Sequence, residues 1–536
     1  GPGGGASLRE AASPGVLPLC FSLHSLDKYV KLAHRFLPVL KQSFERWRFG
    51  GRLLGRRFLR SGLPRNTFRP YWGGGLTKHG LTRGASDMTN GSIWKLLLRF
   101  SVPMAIGLLF QQLYNTVDAV VVGNFVGKEA LAAVGSTGSI TGMLVGLCAG
   151  MATGASVLVS QRYGAHDDKG LHDAVHTTIS FTLILCVLMT LLGVCIVRPM
   201  LNMMSTPADV YGEAESYLMI YFLGISGLLL YNMGSAILQA IGDSRRPLYF
   251  LCFSAINNII FDLLFVAVLG MGVEGAAYAT ILSQFLSAAL VLFSLTHDHA
   301  AYGIRWRELC IRRDVLRNIF SVGLPSGIQQ AITNFSNVFV QSYINAFGSA
   351  CMAGWSSYNK LDAFILIPAQ SLALASTTFV GQNWGAKQLN RARQGVRQAL
   401  AMSLGITLVL SIAVMIAARP TLSLFGTDAE TLQYGQRFVQ LISPFYFIIC
   451  FNQIFSGALR GIGDAKTPTI IMLSSFVVFR QLYLMVNKLL GNSFLGVSLA
   501  YPIGWIVCSL LITLCYRRSK LCKVERGTIA GENASL

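Results

Sequence analysis

Charged residues are scarce in this sequence. Asp, Glu, Lys and Arg make up 13% of the 536 residues, whereas 53% are hydrophobic. An ordinary soluble domain contains about a quarter charged residues. A charge at the centre of a bilayer is costly, and chains that cross membranes are depleted in charge for that reason. The shortage therefore excludes an ordinary soluble protein and favours a membrane protein.

Motifs for catalysis and metal binding are also missing. The 11 cysteines form no CxxC pair, which excludes a disulfide framework and a cysteine zinc site. The apolar segments contain no HExxH motif, P-loop or nucleophile elbow, and we expect His166, His172 and His176 to face solvent. The sequence thus predicts no catalytic residue, no cofactor and no metal other than Na⁺, which argues against a membrane enzyme.

Acidic residues are outnumbered, with 24 Asp and Glu against 44 Lys and Arg, for a formal net charge of +20. Residues 1–87 hold 15 of the basic and 4 of the acidic residues, and the rest of the excess lies between apolar segments. This distribution is typical of membrane topology, so we expect no nucleic-acid partner.

Residues 1–91 are predicted to form a basic extension rich in Gly, Arg and Pro. Its longest apolar run, 16–23, is too short to span a bilayer, and the first methionine of the chain is Met88. It is either a membrane-surface or targeting segment, or upstream sequence translated from a misplaced start codon. We favour the second interpretation, because a segment so interrupted by Pro and Gly would stay disordered.

Twelve apolar segments follow, each long enough to cross a hydrocarbon core of about 30 Å. The predicted spans are 99–123, 131–159, 172–196, 213–241, 247–269, 274–296, 317–346, 350–381, 394–417, 431–459, 467–489 and 494–516. Loops on the side of the termini carry fifteen Lys and Arg, whereas the opposite loops carry four. Since Lys and Arg accumulate in cytoplasmic loops, both termini are predicted to be cytoplasmic.

The two halves of the sequence repeat each other at an offset of 221 residues. The segment 159–165, VSQRYGA, returns at 380–386 as VGQNWGA, and 238–247, LQAIGDSRRP, returns at 459–468 as LRGIGDAKTP. Because an even number of spans separates the copies, they are parallel repeats that can enclose a central cavity.

The fold class follows from this duplication: an all-α membrane protein with twelve transmembrane helices in two pseudo-symmetric six-helix bundles. After the extension, the predicted domains are an N-lobe at 92–296, a cytoplasmic linker at 297–316, a C-lobe at 317–516 and a cytoplasmic tail at 517–536.

Each repeated Gly-Asp loop also predicts a local structure. Gly242 and Gly463 can adopt a positive φ that ends one helix, and Asp243 and Asp464 can cap the next. We expect these aspartates to be structural.

Two acidic residues lie within spans of the first half, where an ionisable side chain indicates function. Asp118 in span 1 and Asp262 in span 5 fall at a similar depth, and Asn258 lies one helical turn before Asp262. Two carboxylates in a poorly solvated site cannot both ionise cheaply, so such a pair takes up a proton, or binds Na⁺ with oxygens from Asn258 and Thr280.

Pro103 with Asp118, both Gln-x-aromatic-Gly-Ala segments and both Gly-Asp-x-x-x-Pro segments resemble the multidrug and toxic compound extrusion (MATE) family, in its bacterial NorM/DinF-like branch. The resemblance covers about residues 92–516. It implies a bacterial inner-membrane protein that exports amphipathic, often cationic drugs in exchange for H⁺ or Na⁺. It also implies a cation site at Asp118, Asn258, Asp262 and Thr280, with Tyr217 and Asn232 matching in spacing only.

The second half departs from this pattern, since the position equivalent to Asp262 is Tyr483. We therefore expect cation coupling in the first half alone, while Lys360, Asp362 and Arg480 pair or line the central cavity. That cavity is predicted between spans 1, 2, 7 and 8, and its candidate polar contacts are Gln111, Gln112, Tyr114, Gln329, Asn334, Asn337, Tyr358, Lys360 and Asp362.

The predicted function is secondary active multidrug efflux by alternating access, carried out by a monomer whose partners are amphipathic drugs, the coupling cation and the bilayer. The alternative is a lipid-linked oligosaccharide flippase of the same superfamily, which would need a cationic cavity. Asp118 and the lack of a buried Arg in span 1 argue for cationic cargo instead.

Overall fold

The computed structural model describes residues 86–203, 206–423 and 428–522, and this part of the chain is helical without a β-strand. The predicted extension before residue 86 and the tail after residue 522 lie outside the described residues. The long helices are α1 Ile93–Phe125, α2 Lys128–Gly164, α3 Asp168–Met203, α4 Ala208–Leu223 with Ile225–Ala240, α5 Arg245–Asp262 with Leu263–Val268, α6 Gly272–Thr296, α7 Arg313–Asn345, α8 Ser349–Gly385, α9 Leu389–Ile416, α10 Ala429–Ile442 with Tyr446–Gly461, α11 Lys466–Leu473 with Ser474–Phe479 and Arg480–Leu489, and α12 Phe494–Arg518.

These helices confirm the twelve-helix fold class. In the described part of the chain, ten are long and apolar enough to cross a membrane, and the bent α4 makes eleven. The twelfth, α7, is 33 residues long but contains many polar residues. We call the side where α1 begins and α12 ends the terminal side, and the other the opposite side.

Four spans depart from the straight helices expected from the sequence. The two segments of α4 meet at an angle of 46° at Gly224, where a Cβ would collide with the side chain of Ile281 on α6. In α10, Pro444 lies in a 3₁₀ turn, Ser443–Phe445. Both α5 and α11 contain a π-helical stretch, a feature often found at functional sites. Glycine, proline and the irregular turns thus adapt the helices to their neighbours.

The repeated Gly-Asp loops have the predicted local structure. Gly242 and Gly463 have φ values of 84° and 90°, in the left-handed region that ends helices. The Asp243 carboxylate accepts a hydrogen bond from the Arg245 backbone N–H at 3.0 Å, and Asp464 accepts one from Thr467 at 3.1 Å. Both aspartates are structural, as expected.

The repeats meet along a tight crossing of α2 with α7. A Cβ at Gly150 would collide with the backbone of Gly327, and one at Gly154 with the carbonyl of Ile319. Small residues spaced four apart allow helix backbones to approach closely in membranes. The series Gly146, Gly150 and Gly154 is a sequence signal for this contact that the reasoning above did not use.

Residues 86–90, here called the N-terminal strap, do not behave as part of the extension predicted up to residue 91. Met88 is only 1% exposed and packs in a core with α8, α9 and α12. The Ser86 backbone N–H donates to the Ile241 carbonyl at 3.1 Å. The strap therefore belongs to the folded bundle on its terminal side.

The segment between α6 and α7 folds back over the start of α3 and corrects the expectation for one histidine. His176 is fully buried, and its Nε2 accepts a hydrogen bond from the Arg305 backbone N–H at 3.0 Å. Its Nδ1 lies 2.8 Å from the His172 carbonyl, and His172 contacts Glu308 at 2.8 Å. The ring nitrogens of the two histidines and a carboxylate oxygen of Glu308 lie within 4.8 Å of one another. We interpret this cluster as structural, because its contacts connect the start of α3 to the segment before α7.

Candidate functional site

The structure brings the two aspartates of the first repeat together. Asp118 lies on the part of α1 nearer the opposite side, and Asp262 ends the regular part of α5, directly before the π-helical stretch. Asp262 is fully buried and is close enough to Asp118 for an electrostatic interaction. The predicted acidic pair is therefore a feature of the fold, although its role stays a prediction.

Several polar atoms of this site are buried without a hydrogen-bond partner among the described residues. They are Oδ1 of Asp118, both carboxylate oxygens of Asp262 and both amide atoms of Asn258. A buried polar group without a partner costs about 1–3 kcal/mol, and a charged one costs more. Carboxylate and amide oxygens are the ligands that hard cations prefer, and a carboxylate can also hold a proton. The donor set fits either coupling ion.

Tyr217 joins the same site. It is buried on the first segment of α4 and is close enough to both Asp118 and Asp262 to interact electrostatically with each. The spacing of Tyr217 and Asn232 in the sequence was weak evidence for a place in the site. The bend of α4 at Gly224 separates these two residues, so their relative orientation could not be derived from the periodicity of a straight helix.

A cavity of about 320 Å³ lies one helical turn from each member of the acidic pair, at Tyr114 and Asn258, and is bounded mostly by the first repeat. Residues of α1, α2, α4, α5 and α6 line it, and α8 contributes Leu374, Thr377 and Thr378. Among the predicted residues, the cavity collects Gln111, Tyr114, Asn232, Asn258 and Thr280. No described residue in its lining carries a formal charge.

The cavity also contains polar residues that the sequence reasoning missed. Gln284 lies one helical turn after Thr280 on α6, and Tyr231 lies directly before Asn232 on α4. The helical periodicity around Thr280 was the signal that could have identified Gln284. Nothing in the local sequence distinguishes Tyr231 from other tyrosines in the chain.

Three of the predicted cavity residues on α7 instead make contacts between helices. The Gln329 amide donates to Sδ of Met472 at 3.1 Å, and Asn334 donates to the Gly142 carbonyl at 3.1 Å. Asn337 accepts a hydrogen bond from Arg480 at 2.9 Å. They do not line the 320 Å³ cavity, whose described lining comes from α1, α2, α4, α5, α6 and α8 rather than from α7.

The predicted residues on α8 are divided between two environments. The Asp362 carboxylate accepts hydrogen bonds from the hydroxyls of Tyr446 at 2.6 Å and Tyr358 at 3.2 Å. Lys360 lies with Gln112 in a second cleft of about 600 Å³, which runs between α1, α7 and α8. This cleft matches the predicted central cavity in position and holds two of its predicted residues.

Arg480 does not pair with Asp362. Its guanidinium donates to the hydroxyl of Ser336 at 3.0 Å and to Asn337, and it lies 4.9 Å from the centre of the Tyr501 ring. A cation–π contact and neutral acceptors therefore hold this cation inside the second repeat.

Comparisons with known proteins agree with this arrangement. The family model described as MatE matches the chain twice, over residues 103–264 and 325–485. A Bacillus subtilis protein named probable multidrug resistance protein YoeA is 30% identical over 431 residues, which cover 78% of this chain and 93% of that protein. A Shewanella oneidensis protein named FAD transporter is 24% identical over 450 residues, covering 83% and 98%.

One solved structure extends the similarity to the whole helical bundle. It is described as the outward-facing conformation of a multidrug resistance MATE family transporter of the MOP superfamily. Its TM-score is 0.78 at 26% identity, and the match covers 83% of this chain and all of that structure. The similarity therefore covers both repeats of the helical bundle.

Proposed function

Because this chain belongs to the MatE family of membrane transporters, we propose that it exports amphipathic, cationic compounds in exchange for H⁺ or Na⁺. The observation that carries the proposal is the acidic pair Asp118 and Asp262, whose buried oxygens have no partner among the described residues, beside an uncharged cavity. Buried carboxylate oxygens without a hydrogen-bond partner destabilise the protein, so they are suited to bind a cation reversibly.

Asn258 connects the two parts of this mechanism. It lies one turn from Asp262 on α5 and also lines the cavity. A cation that draws the amide of Asn258 toward the carboxylates changes one wall of the cavity, so cargo and coupling ion influence each other's binding. By linkage, each ligand must then weaken the other by the same factor.

The two repeats supply the movement. Rocking of one bundle against the other would expose the site first to one side and then to the other, as in other repeat-based transporters. We place the terminal side in the cytoplasm of a bacterial cell, because its loops carry most of the Lys and Arg. The lobe boundaries predicted from the sequence and a monomeric state complete the proposal.

Cargoes that carry phosphate groups are the second class to consider, since one relative is named FAD transporter and a lipid-linked oligosaccharide flippase was the alternative from the sequence. Phosphates in proteins are bound by Arg, Lys or clusters of backbone N–H groups. The cavity lining has neither Lys nor Arg among its described residues, and carboxylates adjoin it. This chemistry favours cationic cargo.

The test is efflux of a fluorescent cationic dye from proteoliposomes under an imposed pH gradient and, separately, a Na⁺ gradient. We expect one gradient to drive export and Asp262→Asn to abolish that dependence. Glu274→Gln is the matched control, because Glu274 is an exposed acid at the start of α6 on the same side. Export that proceeds equally well without either gradient would reject the coupling.

A further inference from the structure

The repeated Gln-x-aromatic-Gly-Ala segments have no part in the mechanism above. They form the ends of α2 and α8 on the terminal side. The acidic pair lies on α1 and α5, nearer the opposite side. Gln161 stands in the first copy and Gln382 in the second, separated by the repeat offset. Both copies lie where the two bundles touch.

Each glutamine bonds to the other repeat. Nε2 of Gln161 donates to the carbonyl of Gly461 at the end of α10, at 2.8 Å. Nε2 of Gln382 donates to the carbonyl of Ala240 at the end of α4, also at 2.8 Å. The two acceptors are themselves 221 residues apart, so the bonds are related by the pseudo-two-fold axis of the duplication.

The glycines of the motif permit this contact. A Cβ at Gly164 would collide with the carbonyl of Gln382, and a Cβ at Gly385 would collide with the carbonyl of Gln161. The end of each helix therefore lies against the backbone of the other. Any side chain here would separate the bundles on the terminal side.

The N-terminal strap adds to one of the two bonds. The Met88 backbone N–H donates to Oε1 of Gln382 at 2.9 Å, and Asn383 donates to the Met88 carbonyl at 3.2 Å. Burial opposes ionisation of the nearby Asp87, but hydrogen bonds from Thr89 and Asn90 outweigh it and hold the pKa of Asp87 below its usual value. Gln382 thus connects both repeats and the strap.

We propose that Gln161 and Gln382 form a paired gate on the terminal side. Its two bonds hold the bundles together while the opposite side is open, and both must break before the terminal side can open. The strap locks the Gln382 half of the gate. The inference rests on the alternating access proposed above and assigns the repeated motif to the movement rather than to the cargo.

Hydrogen–deuterium exchange of the purified full chain, without drug or ion gradient, tests the gate. Gln161→Glu, Gln382→Glu and the double variant keep the side-chain size but replace the donor with a carboxylate that repels the acceptor carbonyl. Loss of one hydrogen bond corresponds to about a 2- to 10-fold change in a population. We expect exchange at the ends of α2 and α8 to rise by about that factor in the single variants. The double variant should rise further than either single variant.

Hydrogen exchange on the opposite side distinguishes opening of the gate from local fraying of α2 and α8, because fraying would not change it. If the gate opens, the opposite side closes, so exchange at the turn between α7 and α8, residues 345–350, should slow in the same graded order. Gln388→Glu is the control, because it adds the same charge on the same side, three residues after Gly385. It should leave both regions unchanged.

Faster exchange at α2 and α8 without added protection at 345–350 would overturn the gate, and so would no change at either place. If a Glu variant is not monodisperse or unfolds early, Gln→Ala at the same position replaces it with the same expected order. Absence of drug export by the unmodified chain would reject the proposed function and leave the exchange result standing.

Discussion

The two repeats share a scaffold but treat their buried carboxylates in opposite ways. In the first repeat, Asp118, Asn258 and Asp262 have buried polar atoms without partners among the described residues. In the second, the Asp362 carboxylate accepts hydrogen bonds from two tyrosine hydroxyls, and one guanidinium nitrogen of Arg480 donates to Ser336 and Asn337, although Nε of Arg480 has no partner among the described residues. Unpartnered groups store free energy that a ligand can release, whereas satisfied groups make a bundle rigid. The contrast supports the proposal that the first repeat binds the coupling ion and that the second serves as its frame.

The largest expected effect concerns transport. Asp262→Asn in the first repeat should reduce gradient-driven efflux by about 5- to 150-fold, the range of a typical coupling free energy. Arg480→Met should reduce it much less, because the contacts of Arg480 are with Ser336, Asn337 and Tyr501 of the second repeat. Initial efflux rates in proteoliposomes measure both, normalised to reconstituted protein. Equal losses would remove the functional difference between the repeats.

The sign of a stability change gives the sharpest comparison. Asp262→Leu removes buried oxygens without partners, so the free energy of unfolding should rise by about 1–3 kcal/mol. Asp362→Leu leaves two tyrosine hydroxyls without their acceptor, so the free energy of unfolding should fall by a similar amount in this variant. Thermal unfolding in detergent, at a pH where the carboxylates are ionised, measures both. A fall in both variants would show that the Asp262 site is satisfied in solution.

Stabilisation of the protein by the coupling ion should depend on the aspartate of the first repeat and not on that of the second. If Na⁺ is the coupling ion, raising it to about a hundredfold above its dissociation constant adds about 2.7 kcal/mol of stability. The shift in thermal unfolding should be present in the unmodified chain and in Asp362→Asn, and absent in Asp262→Asn. Choline at the same ionic strength is the control. A shift that persists in Asp262→Asn would place the ion elsewhere.

The smallest effect probes the frame of the second repeat. Tyr446→Phe removes the hydroxyl that donates to Asp362 at 2.6 Å, while Tyr358 still donates to the same oxygen. Because one donor remains, the free energy of unfolding should fall by only about 0.5–1.5 kcal/mol, the net contribution of a typical hydrogen bond. Tyr343→Phe, on α7 outside this network, should change it less. Unchanged unfolding of Tyr446→Phe would mean that Asp362 is hydrated.

Much of the first repeat was predictable. Asp118 and Asp262 could be placed together because helix direction and depth follow from hydropathy and loop charge. The Gly-Asp caps followed from local turn chemistry, and the structure confirms them. The 320 Å³ cavity beside α4, α5 and α6 was not predicted, because a bend such as that at Gly224 depends on the close approach of α6 and leaves no period in the sequence.

The sequence by itself determined the number and direction of the spans, the duplication and the depth of the acidic residues. These properties depend on hydrophobicity, loop charge and neighbours a few residues away. Only the tertiary structure decided which polar groups are satisfied, because their partners are distant in the chain: Tyr446 lies 84 residues from Asp362, and Gly461 lies 300 from Gln161. The role proposed for a buried polar group, whether in the frame, the gate or the ion site, depends on such distant partners. Only the packing of the helices brings a group and its partners together.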